Sequence, residues 1–132
     1  MGRWWRDEVL GLEDELVLEV VGAATQVWRV LGARFAPSVY RAALTWELRA
    51  HRLQVAERPT LPVKYQGRVV GEFCPDLLVG ERVLVELEAA KKLPAARIHD
   101  ARRTLAATRL PAGVLLNFGA PKLEVRRLAR AG

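Results

Sequence analysis

The sequence holds one cysteine, two histidines and one methionine, and no apolar run approaches the roughly 18 or more residues a membrane span requires. A lone thiol, Cys74, excludes an internal disulfide and a cysteine-cluster zinc site, and it reads as a small buried strand residue. His51 and His99 have neither metal-ligand spacing nor a third partner, so both read as surface residues. No glycine-rich phosphate loop with a following lysine, no HExxH and no serine nucleophile elbow is found, which removes three large enzyme classes. The opening MGRWWRDEVL lacks the apolar core of a signal peptide, and Arg6 stands where a myristoylation motif requires Ser or Thr, so a cytoplasmic location is expected. Low-complexity tracts, internal repeats and linkers are also missing. With 132 residues, 51% hydrophobic and 27% charged, the chain is expected to form a single domain over residues 1–132 with one core, and no membrane contact.

Acidic residues are scarce in the last third. Residues 1–90 carry eleven Lys/Arg and thirteen Asp/Glu, whereas residues 91–132 carry ten Lys/Arg against only Asp100 and Glu124. A net charge of −2 followed by +8 is the footprint expected of a phosphate-backbone partner, since neutralising phosphates releases condensed counterions. A solvated basic face is the alternative. The candidate nucleic-acid contacts are Lys91, Lys92, Arg97, Arg102 and Arg109; Arg102 and Arg109 fall on one face of a helix with Ala106 between them.

Periodicity orders the chain as helix, helix, strands, helix, strands, an α/β pattern. Leu12, Leu16, Val20, Ala24, Val27, Trp28 and Leu31 recur at helical spacing, with Gly32 placed as a C-terminal cap and Asp14, Glu15 and Glu19 turned away from the apolar stripe. A second helix is predicted from Pro37 and Ser38 to about Arg52. LQVAER and LPVKYQ read as strands, Gly67 turns the chain, and RVVGEFCPDLLV and RVLVELEAA follow as a pair. LPAARIHDARRTLAAT is a third helix with Ile98, Ala101 and Leu105 inward, and AGVLLNF and LEVRRLA close the set. Trp4 and Trp5, with nothing local to pack on, read as an anchor on the core or on a partner subunit.

Side-chain alternation sets the register of the hairpin around Gly80. Leu77 and Val79 share a face with Val83, Val85 and Leu87 if the loop is Gly80, Glu81 and Arg82, and this puts Asp76 opposite Glu86 with Cβ atoms roughly 5 Å apart. Glu88, two residues on, points the same way as Glu86. Three carboxylates in one place disfavour their own ionisation. A divalent cation such as Mg²⁺ or Mn²⁺ would compensate, and so would a neighbouring arginine or a shared proton. Lys92 shares the face of Glu86 and Glu88 if the strand continues that far.

Pro75-Asp76 followed by Glu86-Leu87-Glu88, together with VVGAATQVWRVLG, SVYRAALTWEL, LPVKYQGRVVGEFCPDLLV, VLVELEAAKKLP and GVLLNFGAPKLEVRRL, resembles the GxxExxY family of the PD-(D/E)xK nuclease superfamily from about Leu16 onward. The resemblance implies a restriction-endonuclease-like core, a central mixed β-sheet flanked by α-helices, and Mg²⁺- or Mn²⁺-dependent phosphodiester cleavage. It carries the metal carboxylates to Asp76 and Glu86 and the motif tyrosine to Tyr40. Elsewhere the pattern departs. Arg34 and Pro37 replace the motif's second glycine and glutamate, Trp28 replaces a first-helix histidine, Glu88 occupies the catalytic lysine position, and Asp100 and Thr104 stand for Gln and Tyr.

Exchanging Lys for Glu reverses the sign of the charge that would position a nucleophile and stabilise developing negative charge. Two functions are therefore expected from this chain. One is a nuclease-fold protein that has lost catalysis and serves as a nucleic-acid-binding or assembly subunit, as a homo-oligomer or within a larger complex, with DNA the expected ligand. The other is an active Mg²⁺- or Mn²⁺-dependent DNA endonuclease with catalytic residues Asp76, Glu86, Glu88 and Lys92 and metal ligands Asp76 and Glu86, which has precedent in a restriction-enzyme branch that uses Glu at the lysine position.

Overall fold

The computed structural model describes residues 12–128. Trp4 and Trp5 lie outside the described residues. Helix α1 (Leu12–Leu31) ends where Gly32, at φ +67°, donates its N–H to the Trp28 carbonyl at 2.8 Å. A left-handed residue at this point satisfies a terminal carbonyl with no Cβ penalty. Helix α2 (Pro37–Ala50) has Pro37 in its first turn, where a missing N–H costs nothing.

Five strands form the central sheet in the order β1 (Val55–Glu57), β4 (Leu77–Val79), β5 (Val83–Glu88), β6 (Ala112–Asn117) and β7 (Glu124–Leu128). Among the described residues only β5 and β6 pair in parallel, and α3 (Ala95–Thr108) makes the crossover between them. This is the mixed, helix-flanked α/β sheet of a restriction-endonuclease-like fold. Strands β2 (Leu61–Tyr65) and β3 (Arg68–Phe73) form a separate antiparallel hairpin.

Alternation divides the sheet's side chains between two cores. Leu77, Val79, Val83, Val85, Leu87, Val114 and Leu116 pack with Val17, Val20, Ala24, Tyr40, Leu44 and Leu48 of α1 and α2. Leu84, Leu115 and Leu128 pack with Ala101 and Leu105 of α3, and Ile98, Leu61 and Phe73 close over that cluster. Strand β6 is buried along its whole length, as a central strand covered on both faces should be. No helix among the described residues is long and apolar enough to cross a membrane.

Two sequence expectations need correction. RVVGEFCPDLLV is two strands, because Pro75 has no N–H to give a ladder and the chain changes sheets between Phe73 and Leu77. Cys74 sits in that passage and is exposed, not buried in a strand. Asp14, off the apolar stripe of α1, is buried in an ion pair with Arg127 of β7.

Candidate active site

The β4–β5 hairpin turns through Gly80 and Glu81 at φ +59° and +60°, closed by an Arg82 N–H donated to the Val79 carbonyl at 3.1 Å. Positive φ at both central residues matches the twist of the flanking strands. Leu77 pairs with Val85 and Val79 with Val83, so the loop is the three residues 80–82 and the predicted register holds. One residue beyond the ladder, the Asp76 N–H donates to Glu86 Oε1 at 3.2 Å, and Asp76 Oδ2 accepts the Leu87 N–H at 2.9 Å.

The remaining oxygens are met by arginines from the two helical layers. Arg41 of α2 donates from Nη1 to Asp76 Oδ1 at 3.1 Å. Arg97, in the first turn of α3, donates from Nη2 to Glu86 Oε2 at 2.9 Å and from Nε to Glu88 Oε1 at 2.5 Å. A guanidinium forks between two acceptors in a way an ammonium cannot. Glu86 is 7% exposed, and its carboxyl is held above the usual range, by burial first and the Asp76 charge second, with Arg97 opposing both. Burial alone would lower the pKa of Arg97, but its hydrogen bonds to Glu88 and Glu86 outweigh that and raise it. Three carboxylates and two guanidiniums thus form one network at the mouth of the β4–β5 pair.

Lys91 and Lys92 do not extend the strand. β5 ends at Glu88, and both lysines lie exposed in the bend that follows. The cause is Asn117, fully buried at the end of β6. Its Oδ1 accepts the N–H groups of Ala90 and Gly119, at 2.9 and 3.1 Å, and its Nδ2 donates to the Ala90 carbonyl and to Glu124 Oε1, at 2.9 and 2.7 Å. With Ala90 bound to an amide side chain, the chain cannot continue the β5 ladder. The Lys92 face relation expected from strand spacing therefore has no strand to rest on.

Of the other residues singled out, Tyr40 closes the α1–α2 turn. Its hydroxyl accepts the N–H groups of Arg34 and Phe35, at 3.0 and 3.2 Å, and donates to the Gly32 carbonyl, while its ring stacks on Phe118 with centroids 4.5 Å apart. Trp28 packs beside the α1–α2 core. Arg102 is exposed on α3, and Arg109, also exposed, is the left-handed residue ending that helix. His51 and His99 are exposed, as expected. Sequence reading missed Arg41 altogether and assigned Arg97 to nucleic acid, whereas its guanidinium is engaged by Glu86 and Glu88 and its side chain is only 25% exposed. The i, i+4 and alternation rules carry no signal for contacts between a helix and a strand far apart in sequence.

A family model described as the PD-(D/E)XK nuclease superfamily matches residues 14–128. The chain belongs to that superfamily. No curated protein matches it, and no solved structure does. PD-(D/E)XK nucleases are generally dependent on a divalent metal. The residues here do not fit one in this arrangement. Each oxygen of Asp76 and Glu86 accepts from a protein donor: Arg41, the Leu87 N–H, the Asp76 N–H and Arg97. Among the described residues no set of three or more His, Cys, Asp or Glu side chains is disposed to hold a metal ion.

Proposed function

We propose that this chain is a nuclease-fold protein of the GxxExxY type, acting as one domain, that has lost phosphodiester cleavage and binds DNA as a subunit of a homo-oligomer or larger complex. The observation that carries the proposal is the Arg97 guanidinium bridging Glu86 and Glu88, with Arg41 on Asp76. Two fixed positive charges do for the carboxylates what a divalent cation would do, and they bring no water to activate. Glu88 adds to the loss, since an anion at the lysine position repels a scissile phosphate. Support for DNA as the ligand comes from the +8 charge of residues 91–132, where Arg102 and Arg109 stay exposed.

The test combines calorimetric titration with Mn²⁺, cleavage of plasmid and single-stranded DNA with Mg²⁺ or Mn²⁺, and duplex binding followed by fluorescence anisotropy over a salt series. The expected result is salt-dependent DNA binding, no cleavage, and no Mn²⁺ site. Metal-dependent cutting abolished by Asp76→Ala would overturn the loss of catalysis and make Asp76, Glu86 and Glu88 an active centre. Absence of DNA binding would overturn the ligand assignment.

A further inference from the structure

The β2–β3 hairpin is anchored at one end only. Leu61 and Phe73, paired across its base, close over the α3 core. From there β2 runs to Tyr65, about 14 Å at strand rise, and turns through Gln66 and Gly67 at φ +48° and +78°. Residues 64–70 are all exposed, including three large apolar side chains: Tyr65 at 63%, Val69 at 61% and Val70 at 62%. That segment carries Lys64 and Arg68 and no acid; Glu72 lies back at the base opposite Pro62. The core requires none of this, and the exposed apolar side chains are offered on both faces of the tip, Tyr65 on one and Val69 on the other.

The register adds a geometric fact. Lys64 pairs with Val69 and Tyr65 with Arg68, and successive pairs point to opposite faces, so Lys64 and Arg68 lie on opposite faces of the ribbon near its tip. The major groove of duplex DNA, ~12 Å wide, admits a two-stranded ribbon and is walled by phosphates on both sides. A ribbon entering tip first turns one face to each wall. We infer that the β2–β3 hairpin is a DNA-reading arm, inserted into the major groove with Lys64 and Arg68 on phosphates of the two walls and Tyr65, on the same face as Arg68 at the tip, in apolar contact with the base edges beside that wall. The inference rests on the DNA-binding reading above and names the element that reading lacked. Arg102 and Arg103, exposed on the helix against which β2 packs, supply further positive charge on the adjoining element.

Anisotropy titrations of a labelled duplex across a salt series test it, with the intact chain and with Lys64→Ala/Arg68→Ala, Tyr65→Ala and the control Arg29→Ala on α1. Far-UV circular dichroism and an unchanged melting temperature confirm folding, as expected for exposed positions. The double variant should flatten the slope of log K against log [salt] by about 1.8, since each lost phosphate contact removes roughly 0.9. Tyr65→Ala should weaken binding about fivefold or more with the slope unaltered, since it removes apolar contact area and no charge. Arg29→Ala should match the parent. If the parent binds duplex but the hairpin variants bind as it does, the arm is refuted while DNA binding stands. If the parent binds no DNA, both fail together. Tighter binding to single strands than to duplex refutes groove insertion. Dissociation of a dimer by Tyr65→Ala/Val69→Ser/Val70→Ser, with duplex affinity intact, refutes the arm in favour of a surface for a second copy.

Discussion

Replacing Arg97 by Ala removes both arms of the bridge and leaves three carboxylates with one cation, Arg41. Breaking a buried ion pair by deleting one partner costs ~3–5 kcal/mol because the other charge stays uncompensated. The Glu86 side chain, at 9% exposure, falls in that class, whereas Glu88 and Arg97, at 30% and 25%, are partly solvated, which pulls the value toward the ~0–1 kcal/mol of surface pairs. About 2–4 kcal/mol is therefore expected. At roughly 3–4 °C per kcal/mol for a chain of this size, that lowers the melting temperature by roughly 6–16 °C. Urea denaturation of the parent, Arg97→Ala, Glu86→Gln and the Arg97→Ala/Glu86→Gln pair measures it as a double-mutant cycle. The pair should recover part of the loss, because the stranded charge is gone. Arg97→Lys should recover less than a full bridge, since an ammonium cannot fork between two acceptors. A single-variant loss under about 0.5 kcal/mol, within the range of ordinary surface substitutions, would refute the claim that this guanidinium neutralises the site.

Three other perturbations report on separate parts of the molecule. Glu86 binds its proton more tightly folded than unfolded, so its contribution to stability is fully present below the ordinary value of 4.5 and is lost as pH rises through the folded value; the stability of the parent relative to Glu86→Gln should fall as pH climbs above 4.5, and a difference that grew with pH there would contradict the raised pKa. At Gly119 a Cβ would lie 2.4 Å from the Ala89 carbonyl carbon and from the Ala90 nitrogen, both backbone atoms, so Gly119→Ala should cost about 3 kcal/mol or more in chemical denaturation, and a neutral result would show that the bend after β5 can move. Tyr40→Phe deletes three hydrogen bonds at the α1–α2 turn. A loss of about 1.5–3 kcal/mol is expected, toward the low end of summed net values because Arg34 and Phe35 are open to water, and equal stability would mean that ring stacking alone holds the turn.

The features legible in the sequence are the local ones. The apolar spacing of α1, its glycine cap, and the alternation that paired Leu77 with Val85 each depend on neighbours within a few residues, and the hairpin loop 80–82 followed from them. The placement of Asp76 beside Glu86 came from the same rule. Arg41 reaches Asp76 across 35 positions in sequence, and no periodicity encodes such a meeting. Asn117 was equally silent, yet it decides where β5 stops and so where Lys91 and Lys92 go. Pro75 was legible as a nuclease motif and not as a break between sheets, since a strand pattern continues on both sides of it. Arg97 could be recognised as basic and helical. Whether its charge would face solvent or Glu86 depended on how α3 docks after the crossover.

Arg41 and Arg97 reach the carboxylates from helices on opposite faces of the sheet. A bound cation in that position would have a dissociation constant, so the junction of the two layers would weaken whenever free metal fell or a chelator was added. Covalently attached guanidiniums have no such equilibrium with the surroundings. Under the function proposed above, the junction obeys proton concentration and ionic strength instead of metal supply, and chelation should leave its melting temperature where it was.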